Sequence, residues 1–153
     1  MFTRISKVLK AEQIKIPLEG KTKEEVMTEL VKLLGIEERE EILRSSLSRE
    51  SKMSTGIGKR VALPRYRGKS ITGVKSSFGI HKEGVDFDSL DGNPVHFFFF
   101  VAAGEREEEE YIEVLSRMAR ILNQEGFQDH LLGGKNAKEI LSLLKKEEEE
   151  LWK

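Results

Sequence analysis

The sequence predicts a single α/β domain spanning 1–153, built on a mixed β-sheet with helices on both faces. Three observations lead there. The run Pro94–Ala103 (PVHFFFFVAA) is apolar without alternation, as expected of a central strand covered on both sides. Helical stripes of apolar residues lie before and after it, so helices are available for both faces. The length of 153 residues is that of one domain with one principal core.

Taken in order, residues 4–10 read as a short helix, and Ile14, Ile16 and Leu18 alternate as a strand before Gly20. Thr22 and Glu25 form a capping box, Val26, Met27, Leu30, Leu33 and Leu34 share a helical stripe, and Gly35 stops the helix. A second helix over 37–50 turns Ile42, Leu43 and Leu47 inward and carries Arg49 and Glu50 at its end. The stretch Ser54–Arg60 (STGIGKR) reads as a loop, in which Gly56 and Gly58 permit conformations closed to other residues. Val61–Leu63 is a short strand cut off by Pro64. Ser70–Ile80 is strand-like, and Gly84–Pro94 is turn chemistry before the central strand. The remaining chain reads as helices over 107–124, 127–132 and 136–152, the last with Asn136 as N-cap and Glu139 three residues on. The run Glu147–Glu150 is expected to be a solvated helix end.

Composition excludes several classes. With no cysteine, disulfide scaffolds, thiolate zinc sites and cysteine nucleophiles are ruled out, and His81, His96 and His130 are too scattered for an HExxH metal site. No metal or other cofactor is expected. The longest apolar run is far shorter than the ~20 residues of a membrane helix, and the N-terminus lacks the apolar segment of a secretory signal. A cytoplasmic location without membrane insertion is expected. The Glu/Lys enrichment within 35% charged residues is of the kind seen in thermophile proteins.

Charge is distributed unevenly. Between Arg44 and Lys69, eight basic residues face Glu50 alone, whereas 104–153 carries 13 acidic against 8 basic residues. The middle of the chain is therefore suited to an anion. Nucleic acid is a poor match, because Tyr66 is the only aromatic interleaved there and the overall pI is near 6.4. Gly68-Lys69-Ser70 has Leu63 where a Walker A loop needs glycine, and Gly56-Ile57-Gly58 lacks the third glycine of a dinucleotide fingerprint. What remains is a candidate phosphate or anion pocket. Glycine-loop amides would form an anion-binding concavity, the Ser54 and Thr55 hydroxyls would donate, and Arg49 would supply a guanidinium fork. The competing structural account is that Gly56 and Gly58 only turn a tight loop while the arginines are solvated or paired with Glu50.

The stretch LSRESKMSTGIGKRVALPRYRG, Leu47 to Gly68, resembles the signature of the type-2 IIA domains of the bacterial phosphoenolpyruvate-dependent phosphotransferase system, the fructose/mannitol and nitrogen-regulatory class. Gly84–Ala103 resembles that family's turn and central strand, and Tyr111–Leu122 the helix after it. The resemblance implies a mixed sheet flanked by helices and a phosphoryl-carrying histidine after Pro64. This chain has Arg65 there, and Tyr111 where many relatives carry a second histidine. Arg49 matches the arginine that steadies the phosphoryl group, and it is kept with Glu50, Ser54, Thr55, Gly56 and Gly58. A guanidinium has donors but no usable lone pair, so Arg65 can bind a phosphate but not carry one. The expected function is a IIA-like regulatory protein that has lost histidine phosphorylation. It would bind a phosphate-like anion or a protein partner, either the phosphocarrier protein or another regulator. Arg65 would stand as a permanent charge or pair with Glu50. The alternative is a functional carrier with its acceptor relocated to His81 or His96, the first expected at the surface and the second half-buried. A third expectation is a docking face formed by Ile57, Leu63 and Tyr66 beside basic residues.

Overall fold

The computed structural model describes residues 3–153. In chain order it comprises α1 (Ile5–Val8), a 3-10 turn at Ala11–Gln13, β1 (Ile14–Lys15), α2 (Lys23–Leu33), α3 (Arg39–Lys52), β2 (Gly56–Gly58) and β3 (Val61–Ala62). Then follow β4 (Arg65–Gly68), β5 (Val74–Val85), β6 (Val95–Gly104), α4 (Glu108–Leu122), α5 (Phe127–Leu132) and α6 (Ala137–Leu151).

The apolar run forms the centre of the sheet: every residue of β6 except His96 is buried. β5 pairs antiparallel along one edge of β6, and β1 lies parallel beyond β5. On the other edge β3 and β4 run parallel to β6 in one shared register, Val61 opposite Phe97 and Arg65 opposite Val101. They are two halves of one line, interrupted at Leu63–Pro64. Proline has no N–H for the ladder, while the Leu63 N–H faces the other neighbour and reaches the Thr55 carbonyl at 3.0 Å in the antiparallel register of β2 and β3. β2 closes this side as a short antiparallel partner of β3. The sheet is mixed, as expected, but β2 lies inside Ser54–Arg60, where the sequence suggested loop, and β4 follows Pro64, where no strand was expected.

Alternation along β6 splits the apolar side chains between two layers. Phe97, Phe99 and Val101 join Phe78, Ile80 and the inner faces of α1, α4, α5 and α6. Phe98, Phe100 and Ala102 join Phe87 and the inner faces of α2 and α3. One sheet therefore carries apolar packing on both faces, and each fully buried phenylalanine contributes about 1.5–3 kcal/mol. The side-chain N-caps form as the spacing predicts, Thr22 Oγ1 accepting the Glu25 N–H at 3.2 Å and Asn136 Oδ1 the Glu139 N–H at 2.9 Å, and Gly35 takes φ +69 after α2. The Glu25 carboxylate, however, accepts the Lys21 N–H at 2.7 Å instead of closing the expected capping box on the Thr22 N–H.

Two expectations fail. β5 continues to Val85, so His81 lies within a strand and is buried, not at the surface. Within Glu147–Glu150, Glu148 is only 2% exposed. It falls on the same face of α6 as Ile140 and Leu144, and its carboxylate accepts the Ile5 N–H at 2.9 Å and the Arg117 Nε–H at 2.8 Å. Burial of this charge is compensated by a cation and a backbone donor.

Candidate functional site

At the end of α3 two neighbouring residues point to different environments, as adjacent helical positions must. Arg49 is exposed, whereas the Glu50 side chain is 1% exposed. Glu50 Oε2 accepts the Thr55 N–H at 2.7 Å, the Thr55 hydroxyl donates to Oε1, and Lys23 Nζ stands 3.4 Å from Oε2. The segment after α3 is thus folded back onto its last turn. The Ser54 hydroxyl donates to the Phe87 carbonyl and accepts the Gly56 N–H at 3.0 Å. The Gly58 N–H reaches Ser89 Oγ at 3.1 Å, and the Lys59 N–H reaches Asp91 Oδ2 at 3.0 Å. The backbone N–H groups of Asn93 and Lys59 hold the Asp91 carboxyl below the usual carboxylate range.

The hydroxyls of Ser54 and Thr55, and the amides of Thr55, Gly56 and Gly58, therefore donate within the chain. The glycines serve close packing and backbone turn. A Cβ on Gly56 would stand 2.9 Å from Ser89 Cα, and Gly58 adopts φ +92. The β2–β3 turn places Lys59 and Arg60 at φ 54 and 68, and Gln128 of α5 clamps it by accepting from Arg60 Nε at 3.0 Å and donating to the Lys59 carbonyl at 2.8 Å.

Arg65 opens β4 and is half-buried. It follows the parity of Val61 and Leu63, which face the α4 side of the sheet, and on the same parity Arg67 meets Glu108 of α4 at 3.4 Å. Arg65 Nε donates to the Leu63 carbonyl at 3.1 Å. Among the described residues no carboxylate lies within ion-pair reach of Arg49 or Arg65; the cation beside Glu50 is Lys23, not Arg65. The structure thus gathers Glu50, Ser54, Thr55, Gly56 and Gly58 into one hydrogen-bonded unit. Arg49 lies outside it and Arg65 is tied to it only through Leu63, each with guanidinium charge uncompensated by a protein carboxylate.

The expected apolar face is altered. Leu63 and Tyr66 are buried, and among the three only Ile57 is exposed, accompanied by Met53 and Leu90 at 77% and 83% exposure. His81 uses both ring nitrogens: Nδ1 accepts the Gly84 N–H at 2.9 Å and Nε2 meets the Gly20 carbonyl at 2.8 Å. His96 is half-buried, with Nδ1 2.9 Å from the His81 carbonyl. Burial, with the nearby Arg60 charge, holds its imidazole below the ordinary histidine value. Tyr111 is partly buried against the α4-side core.

Residue pattern alone assigned no role to Lys23, Ser89 or Asp91. Lys23 had one signal, since a cation in the first turn of a helix is disfavoured by the dipole unless tertiary partners compensate. Among the described residues no group of three or more His, Asp or Glu side chains could hold a metal ion, and no helix is long and apolar enough to cross a membrane.

Residues 7–147 match the model of the phosphoenolpyruvate-dependent sugar phosphotransferase system, EIIA 2, family. The chain is 34% identical over 145 residues to the fructose-specific EIIABC component of the phosphotransferase system of Bacillus subtilis, covering 92% of this chain but 23% of that longer protein. It is 27% identical over 148 residues to the nitrogen regulatory protein of Pseudomonas aeruginosa, covering 92% and 94% of the two chains. Among solved structures, nitrogen regulatory protein IIA-Ntr of Neisseria meningitidis superposes with a TM-score of 0.84 at 28% identity, covering 92% of this chain and 98% of that one.

Proposed function

Because this chain belongs to the EIIA 2 family of the phosphoenolpyruvate-dependent sugar phosphotransferase system, we propose that it is a cytoplasmic IIA-like regulatory protein that binds a phosphate-type anion, free or on a partner protein, and does not carry a phosphoryl group on histidine. The observation that carries this reading is Arg65 immediately after Pro64. A histidine there would offer a ring lone pair to phosphorus; a guanidinium offers only N–H donors at neutral pH. Two further features support it. Arg49 and Arg65 have no protein carboxylate against them, and an arginine fork suits phosphate oxygens. The likeness to nitrogen regulatory proteins over nearly the full length of both chains supports a regulatory role. The partner that fits is the phosphocarrier protein or another regulator presenting a phosphorylated or acidic group.

One observation favours a second reading, phosphoryl transfer to His96. Its Nδ1–H donates to the His81 carbonyl, which leaves the lone pair of the neutral ring on Nε2. His81 has no such nitrogen to offer.

The test is incubation of the purified protein with phosphoenolpyruvate, enzyme I and the phosphocarrier protein, read by intact mass under alkaline conditions that preserve phosphohistidine, beside Arg65→His and His96→Gln. The expected result is no mass gain for the unaltered chain and a phosphoryl gain for Arg65→His. A gain by the unaltered chain overturns the proposal, and its loss in His96→Gln assigns the acceptor.

A further inference from the structure

We infer that Lys23, at the start of α2, is a positioning residue for Arg65, acting through Glu50, Thr55 and Leu63; its functional consequence rests on the anion-binding reading above. A continuous line of bonds joins the two ends. Lys23 Nζ stands 3.3 Å from Asp88 Oδ2 and 3.4 Å from Glu50 Oε2. Glu50 holds both the N–H and the hydroxyl of Thr55. The Thr55 carbonyl accepts the Leu63 N–H at 3.0 Å, and the Leu63 carbonyl accepts Arg65 Nε–H at 3.1 Å.

Each link has a physical reason to be stiff. The Leu63 N–H continues the antiparallel register that pairs Gly56 with Ala62, so the Thr55 carbonyl is its in-register partner at the strand's end. Thr55 is itself buried and held by one carboxylate through two donors. That carboxylate is almost wholly removed from water, and a cation beside it is needed to offset the cost of burial. Lys23 is that cation. Its ammonium also lies 4.6 Å from the centre of the Phe87 ring, and the Phe87 carbonyl receives the Ser54 hydroxyl. Lys23 therefore sits where α2, the end of α3 and the turn over 86–93 meet. Arg65 itself lies toward the α4 side of the sheet, where its Nε–H donates to the Leu63 carbonyl and its remaining N–H groups are left for an anion.

The experiment is a double-mutant cycle in the full chain: Lys23→Met, Glu50→Gln, the double variant, and Lys23→Arg. Two readouts are taken, amide hydrogen exchange at Thr55 and Leu63 by NMR, and affinity for inorganic phosphate. Loss of a charge-supported hydrogen bond corresponds to about 10- to 100-fold faster exchange at Thr55 in Lys23→Met, with Leu63 following and phosphate binding weakened. Lys23→Arg restores both. On a Glu50→Gln background, Lys23→Met changes exchange less than about twofold, because no buried charge remains to be neutralised. Unchanged Thr55 and Leu63 exchange in Lys23→Met overturns the inference, as does an equal effect of Lys23→Met with Glu50 and with Gln at 50. If Lys23→Met does not fold, the comparison of Glu50→Gln with the double variant decides the matter. If the unaltered chain binds no phosphate while the exchange cycle behaves as expected, the anion reading fails and the positioning role of Lys23 stands.

Discussion

Replacing Glu148 by alanine tests how this chain tolerates buried charge. The Glu148 and Arg117 side chains are 2% and 4% exposed, with Nε and Oε2 2.8 Å apart. The same carboxylate caps α1 through the Ile5 N–H at 2.9 and 3.2 Å, and Arg117 stacks 4.0 Å from the Trp152 ring centre. Removing one member of a buried pair costs about 3–5 kcal/mol, because the other is left in a site built for its counter-ion. At about 2–4 °C per kcal/mol for a domain of this size, Glu148→Ala lowers Tm by on the order of 10 °C. Glu148→Gln keeps an acceptor for Ile5 and loses only the charge, so its loss is smaller. Calorimetry of the three proteins supplies the Tm values, and amide exchange at Leu9, whose N–H bonds to the Ile5 carbonyl at 2.9 Å, reports on α1. A Tm within about 2 °C of the unaltered chain for Glu148→Ala would mean that the pair is solvated in solution and the reasoning fails.

Other consequences are equally open to measurement. Phe98→Ala removes a fully buried ring that meets Phe87 edge to face at 5.2 Å, and is expected to cost about 3–5 kcal/mol by denaturant unfolding; a loss below about 1 kcal/mol would contradict the packing on the α2–α3 face. Gly56→Ala sets a methyl 2.9 Å from the Ser89 backbone, so the turn must move, with about 1–3 kcal/mol lost and faster exchange of the Leu90 amide that bonds to the Gly56 carbonyl at 3.1 Å. Unaltered exchange there would refute the close approach. For His96 the folded state binds a proton less readily than the unfolded chain, since burial and Arg60 disfavour the imidazolium. Its contribution to stability is therefore present above the unfolded value of about 6.5 and declines as pH falls toward the lower folded value. His96→Gln should flatten that slope in denaturant midpoints taken between about pH 8 and about pH 5, and an unchanged slope would exclude His96 as its source.

Much of the fold was legible because the physics that forms it is local. Four consecutive phenylalanines leave β6 no polar face, so a covered central strand follows from composition alone. The caps at Thr22 and Asn136 needed only residues three apart. The turn chemistry after Gly84 was visible, but the extension of β5 to Val85 was not, because the pairing of Val85 with Val95 crosses a register shift. At the candidate site, the glycine loop and its arginines were visible in the spacing. That its amides and hydroxyls would be taken by Glu50, Ser54, Ser89 and Asp91 was not.

A mixed α/β domain of the EIIA 2 family and an arginine after Pro64 follow from the order of residues alone. Which charges are buried, and with whom, emerges only from contacts between distant segments. Among four adjacent glutamates, Glu148 alone continues the Ile140–Leu144 stripe and is turned onto Arg117. Glu50 found its cation 27 residues back in Lys23, not in the nearer Arg49 or Arg65. β4 exists because the edge of β6 offers unpaired backbone groups beyond the proline. Helix and strand preference are written within a few residues, whereas a buried charge or an edge strand depends on groups that meet only once the chain has folded.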